Sequence, residues 1–195
     1  AKSAQSITAD QVADGATVDA LKKAIAAVKN VEAVECKTSA STSDLKEYAK
    51  TADIQTKTAK KNTAAITAAA KAVTDSKNAK DQANAQQALQ GKIAEAQTLL
   101  DNSLYAVDDN STRVTLESDI ANANTVLSQQ GTDVKAMQDA VNMLTASMDA
   151  VNTSMANYSA AVEAQRAQSQ YRYRYSNQRT TTTTTDPTPD PDPTP

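Results

Sequence analysis

The chain has 195 residues and a formal net charge of −3, and it contains no Phe, no Trp and no His. Aromatic side chains supply much of the buried area of a globular core, so this alanine-rich composition disfavours a thick, rounded domain and favours thin helical bundles. The lack of a concentrated basic run argues against nucleic acid as a partner. No apolar run approaches the ~20 residues that a membrane span needs, so we expect no membrane span. The single cysteine, Cys36, excludes an internal disulfide.

The N-terminal half predicts a first helical module. Residues 1–16 are interpreted as a leader, and because the chain starts at Ala1 we expect that a signal peptide has been removed. No Gly or Pro occurs between Gly15 and Gly91, so little in that range would break a helix. We assign the first helical module to residues 17–81.

A second module, residues 82–168, shows clearer periodicity. Its last helix has apolar residues at alternating spacings of three and four, which is typical of lengthwise helix packing. This heptad seam contains Val134, Met137, Val141, Leu144, Met148, Val151, Met155, Tyr158 and Val162. Gly131 can close the preceding helix in the left-handed conformation, and Thr132 can cap the next one. Two further seams complete a predicted three-helix bundle. The first seam contains Leu89, Ile93, Ala96 and Leu100. The second contains Leu116, Ile120, Ala123 and Leu127, and Asn110 or Ser111 is the expected N-cap of its helix.

The two modules resemble each other when the chain is shifted by 68 positions, which places Leu21 on Leu89 and Ile66 on Val134. On this shift Asn62-Thr63 would end one helix and start the next, which favours three helices in the first module as well. The alternative is one unbroken helix from Ser43 to about Asn78 that forms a hairpin with the first helix. The predicted fold is therefore all-α and elongated, with two tandem three-helix-bundle or coiled-coil-like modules.

The C-terminal segment, residues 169–195, has a different composition. A Tyr/Arg alternation is followed by threonines from Thr180 to Thr185 and by Pro at alternate positions from Asp186 to Pro195. Alternate Pro residues forbid a helix and favour an extended, stiff conformation. We therefore expect the Thr/Pro-rich stretch to form a disordered linker that precedes another domain.

The second module resembles the FIVAR-type helical repeats of Gram-positive bacterial surface proteins. The residues that carry the resemblance are the apolar positions Ile93, Leu99 and Leu100, the polar loop Asp108–Thr112, the Leu116/Ile120/Leu127 helix, and Asp133, Ala140, Leu144 and Val151. The arrangement is also similar to the helical arm that precedes the catalytic domain of secreted CHAP-type cell-wall hydrolases. Either resemblance implies an extracellular, cell-wall-associated spacer or adhesin-like region, and neither implies a catalytic residue in this stretch.

The residue types exclude most catalytic chemistry. Without His, neither a Ser-His-Asp nor a Cys-His arrangement can form, and one Cys cannot build a zinc site. Asp108, Asn110, Thr112 and Asp119 match EF-hand spacing, but Arg113 replaces the required Gly, so an ordinary turn and helix cap is the preferred interpretation. The sequence therefore predicts no enzyme activity, no cofactor and no metal site.

One segment has the composition of a contact surface for a polyanion or a glycan. It contains four arginines and three tyrosines, with no acidic residue between Glu163 and Asp186: Arg166, Arg172, Arg174, Arg179, Tyr171, Tyr173 and Tyr175. Arginines could bind an anionic cell-wall polymer electrostatically, and tyrosines could stack on sugars. A solvated helix end is the alternative.

The sequence thus favours a non-catalytic extracellular spacer or interaction region, with a cell-wall polymer or a host or partner protein as the ligand. The alternative is a regulatory arm of a secreted cell-wall hydrolase whose catalytic domain follows Pro195. Dimerisation through the seam at residues 134–162 is a further possibility.

Overall fold

The computed structural model describes residues 2–28, 34, 37, 39–129, 131 and 133–181, with side chains described as far as Ser176. The described residues form an all-α fold without strands, which confirms the predicted class. The predictions for Cys36, for Thr132 and for the Thr/Pro-rich residues 182–195 lie outside the described residues. The helices are α1 (Lys2–Gln5), a 3₁₀ turn (Ala9–Gln11), α2 (Ala16–Ala26), α3 (Thr42–Asn102), α4 (Ser111–Ser128) and α5 (Val134–Thr181).

The chain divides into two compact units, Ala1–Gln87 and Ala88–Pro195. The core of the first unit joins the short N-terminal helices to the middle of α3. Its buried side chains belong to α1, to the turn after the 3₁₀ helix, to α2 and to α3: Ala4, Val12, Val18, Leu21, Ala70 and Val73. Three isoleucines and one alanine that are partly buried pack against them: Ile7, Ile25, Ile66 and Ala69. Small residues on α3 permit this close approach, and they keep the core thin.

Helix α3 corrects the predicted break in the first module. It runs from Thr42 to Asn102 without interruption, so Asn62 and Thr63 lie inside a helix. The physical reason is local, because Asn and Thr each cost no more than about 0.7 kcal/mol relative to Ala in a helix. In addition, no Gly or Pro lies between Gly15 and Gly91. Ala52, a seam position on the 68-residue shift, is exposed. The alternative of one unbroken helix agrees with α3 in having no break at Asn62-Thr63, but α3 continues past Asn78 to Asn102.

The start of α3 carries a capping box. The Ser41 hydroxyl accepts a hydrogen bond from the Asp44 backbone N–H at 3.2 Å, and the Asp44 carboxylate accepts from the Ser41 backbone N–H at 3.0 Å and from its hydroxyl at 2.8 Å. Each side chain thus satisfies a backbone donor that the first turn leaves unpaired. These bonds also hold the pKa of the Asp44 carboxyl below its ordinary value, with the hydroxyl bond as the larger cause.

Three helices contribute buried residues to the second unit. The C-terminal part of α3 contributes Leu89, Ile93 and Ala96, and α4 contributes Leu116, Ile120 and Ala123. The buried apolar residues of α5 are Met137, Ala140, Leu144 and Val151. Helices α4 and α5 pack along each other. Gly131 has a φ of 75°, which is the left-handed conformation predicted for the turn before α5.

Helix α5 extends beyond the core that it packs against. Its last buried residue is Ser154, and beyond Val162 every described side chain is exposed. Tyr158, which the seam pattern places in the core, is 40% exposed. The reason is that heptad spacing reports which residues share a helix face and does not report where the neighbouring helices end.

In each unit, the loop before a short helix is hydrogen-bonded to a serine on a long helix. In the second unit, the Asp109 backbone N–H donates to the Ser154 hydroxyl at 2.8 Å, and the Asp108 N–H donates to the Ser154 carbonyl oxygen at 3.2 Å. In the first unit, the Asp14 N–H donates to the Ser76 hydroxyl at 2.8 Å, and the Ala13 N–H donates to the Ser76 carbonyl oxygen at 3.1 Å. We call this shared arrangement the Asp–Ser dock.

The aspartate of each dock also starts the short helix. The Asp14 carboxylate accepts from the Ala16 N–H at 2.9 Å, and the Asp109 carboxylate accepts from the Ser111 N–H at 2.8 Å. Three residues after each aspartate, a threonine hydroxyl donates to the aspartate carbonyl oxygen. Each aspartate therefore lies at the end of the loop and its carboxylate caps the first turn of the short helix that follows.

The docks reveal an internal repeat that differs from the 68-residue shift. A spacing of 95 residues relates Asp14 to Asp109, Leu21 to Leu116 and Ile25 to Ile120. A different spacing, 78 residues, relates the anchoring long helices and superposes Val73 on Val151 and Ser76 on Ser154. Because the connecting loops differ in length, one gapless shift cannot detect both matches. The repeated element is a short helix docked on a long one.

Removing the serine hydroxyl of the second dock should destabilise the fold. Ser154 is 4% exposed, and without its Oγ the Asp109 N–H loses its acceptor. We expect Ser154→Ala to lower the free energy of unfolding by about 1–3 kcal/mol, which is the usual cost of a buried unpaired group. Urea denaturation followed by circular dichroism measures it. Ser159→Ala, which alters an exposed serine of the same helix, should change stability by less than about 0.5 kcal/mol.

Candidate functional site: the tyrosine–arginine segment of α5

The tyrosine–arginine segment, residues 166–179, is helical throughout and belongs to α5. Its residues before Tyr171 are mainly alanine, glutamine and arginine, which are good helix formers, and it contains no Gly or Pro. The tyrosines that follow have lower helix propensity, but they extend a helix that is already nucleated. The segment therefore carries its side chains on a regular helical surface.

The helix separates the tyrosines onto two faces. Tyr171 and Tyr175 are one turn apart, and their rings stack with centroids 6.5 Å apart and an interplanar angle of 17°. Tyr173 lies about 200° away around the helix from Tyr171, because successive residues turn by about 100°. All three are well exposed, at 72%, 69% and 61% for Tyr171, Tyr173 and Tyr175. The structure thus builds a two-ring aromatic face and a single tyrosine on the other side.

The arginines surround the helix. Arg172 is adjacent to Tyr171 and three residues before Tyr175, so it flanks the stacked pair, whereas Arg166 lies near the face of Tyr173. Arg166, Arg172 and Arg174 are exposed and form no ion pair with any residue that the structure describes. The predicted role of the Arg179 side chain lies outside the described residues. The three described arginines therefore lie on different sides of the helix end, where an external anion can approach them from several directions.

The acidic loop before α4 has a structural role. Both carboxylate oxygens of Asp109 accept hydrogen bonds from Ser111, one from the backbone N–H and one from the hydroxyl, each at 2.8 Å. Asn110 occupies the N-cap position, as predicted, but its side chain makes no capping bond, and the Asp109 carboxylate accepts from the first turn instead. The Asn110 amide oxygen accepts from Arg113 at 3.2 Å. These oxygens are thus occupied by protein donors, as expected for an ordinary turn and helix cap.

Arg113, at the position of the EF-hand glycine, fastens the end of α3 to α4. Its Nε donates to the Ser103 hydroxyl at 3.0 Å, and its second guanidinium nitrogen donates to the Leu100 carbonyl oxygen at 3.1 Å. Ser103 is fully buried and its hydroxyl also donates to the Leu100 carbonyl oxygen at 3.0 Å, so Arg113 adds two hydrogen bonds to a pair of groups that already bond to each other. The loop between these two helices is therefore held at both ends.

The described residues contain neither a metal-ion cluster nor a helix that could span a membrane. Among the residues with described positions, no group of three or more Cys, Asp or Glu side chains is arranged to hold a metal ion. Within the same ranges, no helix combines the length and the apolar character that crossing a membrane requires. No protein-family model, no curated protein and no solved structure matches this chain.

Sequence reasoning missed the two docks and the exposed Tyr105. A signal for the docks exists, because Val-x-Asp-x-x-Thr followed by Leu and Ile at spacings of four occurs at Val12 and again at Val107. The pattern is short and polar, and a search for apolar periodicity passes over it. Tyr105 has a φ of 59°, a left-handed conformation that is uncommon for residues other than Gly. No pattern in the neighbouring sequence predicts this conformation.

The Asp109 cap should lose strength in acid. Its hydrogen bonds from Ser111, with the backbone bond as the larger cause, hold the pKa of the carboxyl below its ordinary value of 3.8 in the folded protein. The stabilisation is therefore fully present above the unfolded-state pKa and disappears as the pH falls through the lower folded-state pKa. We expect the stability difference between the native protein and Asp109→Ala to be constant from pH 7 to pH 5 and to shrink below about pH 4.

Urea titrations at several pH values measure this difference. Asn152→Ala, which alters an exposed and non-titrating residue of α5, is the control, and its difference from the native protein should not depend on pH. A difference for Asp109→Ala that stayed constant down to pH 2 would show that the ionised carboxylate contributes nothing to the cap.

Proposed function

We propose that this chain is a non-catalytic, extracellular helical spacer and interaction region that contacts an anionic cell-wall polymer through the tyrosine–arginine segment. The observation that carries the proposal is the extension of α5 beyond its core. Every described side chain after Val162 is exposed, and a helix rises 1.5 Å per residue, so the 14 residues from Glu163 to Ser176 extend over about 21 Å.

Charge supports an anionic ligand. The segment has three described arginines without ion pairs, and the sequence contains no acidic residue between Glu163 and Asp186. The whole chain has a net charge of −3, so this cluster is a local exception and not part of a general basic surface. Arginine suits phosphate because its planar guanidinium donates two parallel hydrogen bonds to adjacent oxygens.

The stacked tyrosines support a ligand that contains sugar or polyol units as well as phosphate. Tyr171 and Tyr175 present ring surface on one face, and Arg172 lies beside them. A polymer that alternates phosphates with apolar C–H surfaces would use both features. A simple inorganic anion would use the arginines alone.

The extracellular location rests on sequence features. The Thr-rich and Pro-rich stretch that follows α5 is typical of stems that separate domains in exposed proteins. The resemblance to FIVAR-type repeats is consistent with the same location. Surface labelling of intact cells with an antibody against residues 111–128 would test it, and labelling that required cell lysis would contradict it.

Neutralising the arginines should weaken polymer binding. We expect Arg166→Gln/Arg172→Gln/Arg174→Gln to reduce the affinity for poly(glycerol phosphate) by about tenfold or more, which corresponds to about 1.4 kcal/mol or more. Binding by the native protein should also weaken as salt rises, because exposed charges are screened. Isothermal titration calorimetry at two ionic strengths measures both effects.

A matched control separates local from general charge. Lys46→Gln/Lys50→Gln/Lys61→Gln removes the same number of positive charges from exposed positions of α3. It should leave the affinity unchanged within about twofold. Equal losses for the two triple variants would mean that net charge governs binding, and the tyrosine–arginine segment would then have no specific role.

A further inference from the structure

The end of each Asp–Ser dock forms a corner between a loop and a long helix, and the two corners differ in chemistry. In the first unit, Lys80 lies four residues after the dock serine, and its Nζ donates to the carbonyl oxygen of Asp10, four residues before the dock aspartate. This hydrogen bond closes the first corner. In the second unit the residues at the same offsets are Tyr158, four after Ser154, and Tyr105, four before Asp109.

The second corner is open. Tyr105 is 85% exposed and Tyr158 is 40% exposed. The Asp108 backbone N–H is bonded to Ser154, which fixes this residue beside α5, one turn from Tyr158. Its exposed carboxylate has neither a hydrogen bond nor an ion pair within the described part of the chain. We call Tyr105, Asp108 and Tyr158 the open corner.

The backbone of Tyr105 supports a constrained surface. Its φ of 59° is unfavourable for a bulky residue and persists only when the surroundings determine it. The loop is held by Arg113 at one end and by the second dock at the other. An exposed aromatic ring on a loop fastened in this way is typical of contact surfaces, because little entropy is lost when a partner binds.

The same face of α5 continues from the open corner to the tyrosine–arginine segment. Tyr158, Gln165 and Arg172 follow each other at seven-residue intervals, so they lie along one side of the helix. Arg172 is a cation without an ion pair, and the open corner offers a carboxylate and two aromatic rings. The two ends of this face therefore complement each other in charge and in cation–π chemistry.

We propose that a second copy of this chain docks antiparallel along this face of α5, so that Arg172 of each copy lies in the open corner of the other. Residues 158 and 172 are equally far from Gln165, so an antiparallel pair centred there satisfies both contacts at once and closes as a symmetric dimer. A parallel pair would place the arginine clusters of the two copies against each other. The contact is small, so the dimer is weak, with a dissociation constant on the order of tens of micromolar.

Sedimentation equilibrium from 5 µM to 1 mM measures this association. We expect Tyr105→Ala/Asp108→Asn and, separately, Arg172→Gln to weaken dimerisation by about tenfold or more. The matched controls are Tyr173→Ala and Arg174→Gln, which change the same residue types away from this face, and they should alter it by less than about threefold. A native protein that remained monomeric up to 1 mM, or open-corner variants that associated like the native protein, would overturn the proposal.

Disulfide trapping tests the antiparallel orientation. In a Cys36→Ser background, Ala161→Cys and Ser169→Cys lie at equal distances on either side of Gln165. An equimolar mixture of the two variants should form covalent heterodimers upon mild oxidation, and neither variant alone should crosslink efficiently. Efficient crosslinking of each variant with itself would indicate a parallel pair and would contradict the proposal.

The proposal does not depend on polymer binding. Tyr105→Ala/Asp108→Asn leaves all arginines in place, so this variant should bind poly(glycerol phosphate) at least as tightly as the native protein while it fails to dimerise. If polymer binding is absent and dimerisation persists, the proposed function fails and this inference stands. If dimerisation is absent and polymer binding persists, the reverse holds.

Discussion

Both units depend on a hydrogen-bonded contact between a loop aspartate and a serine on a long helix. The contact matters because the cores are thin: each short helix buries only a few apolar side chains, and several of the residues that they meet are alanines, which bury little area. The backbone N–H groups of the aspartate and of the residue before it donate to the hydroxyl and to the carbonyl oxygen of one serine. The aspartate carboxylate then caps the helix that follows. The Asp–Ser dock thus sets both where the short helix begins and what it packs against.

The long helices reflect a different constraint, which is the lack of helix-breaking residues. Helices α3 and α5 continue past the positions where their buried residues end, because backbone hydrogen bonds and alanine-rich sequence sustain them locally. Packing determines only which part is covered. The consequence for function is that the exposed part of α5 presents Tyr171, Tyr173 and Tyr175 and three arginines on a regular helix. Their relative positions are defined even though no described residue covers them.

The exposed part of α5 combines two surfaces of different chemistry. The tyrosine–arginine segment is cationic and aromatic, which suits an anionic polymer that carries sugar or polyol units. The open corner adds an unpaired carboxylate and two further tyrosines near the base of the same exposed stretch. Contact with a polymer and self-association would draw on one set of arginines, so the two activities would compete at Arg172. A helix of this kind would therefore act as an interaction element and not only as a spacer.

The sequence alone determined the all-α class, the helical seams that became α4 and α5, and the left-handed turn at Gly131, because each depends on local propensity and on side-chain periodicity. It also identified the tyrosine–arginine segment from composition. The sequence left open whether the helix continues through Asn62-Thr63. Only the tertiary structure decided that Tyr158 is exposed and that Asp109 docks on Ser154. The reason is physical: periodicity states which residues share a face, whereas burial and long-range hydrogen bonds depend on where other segments of the chain end, and the docking partners lie 45 and 62 residues apart.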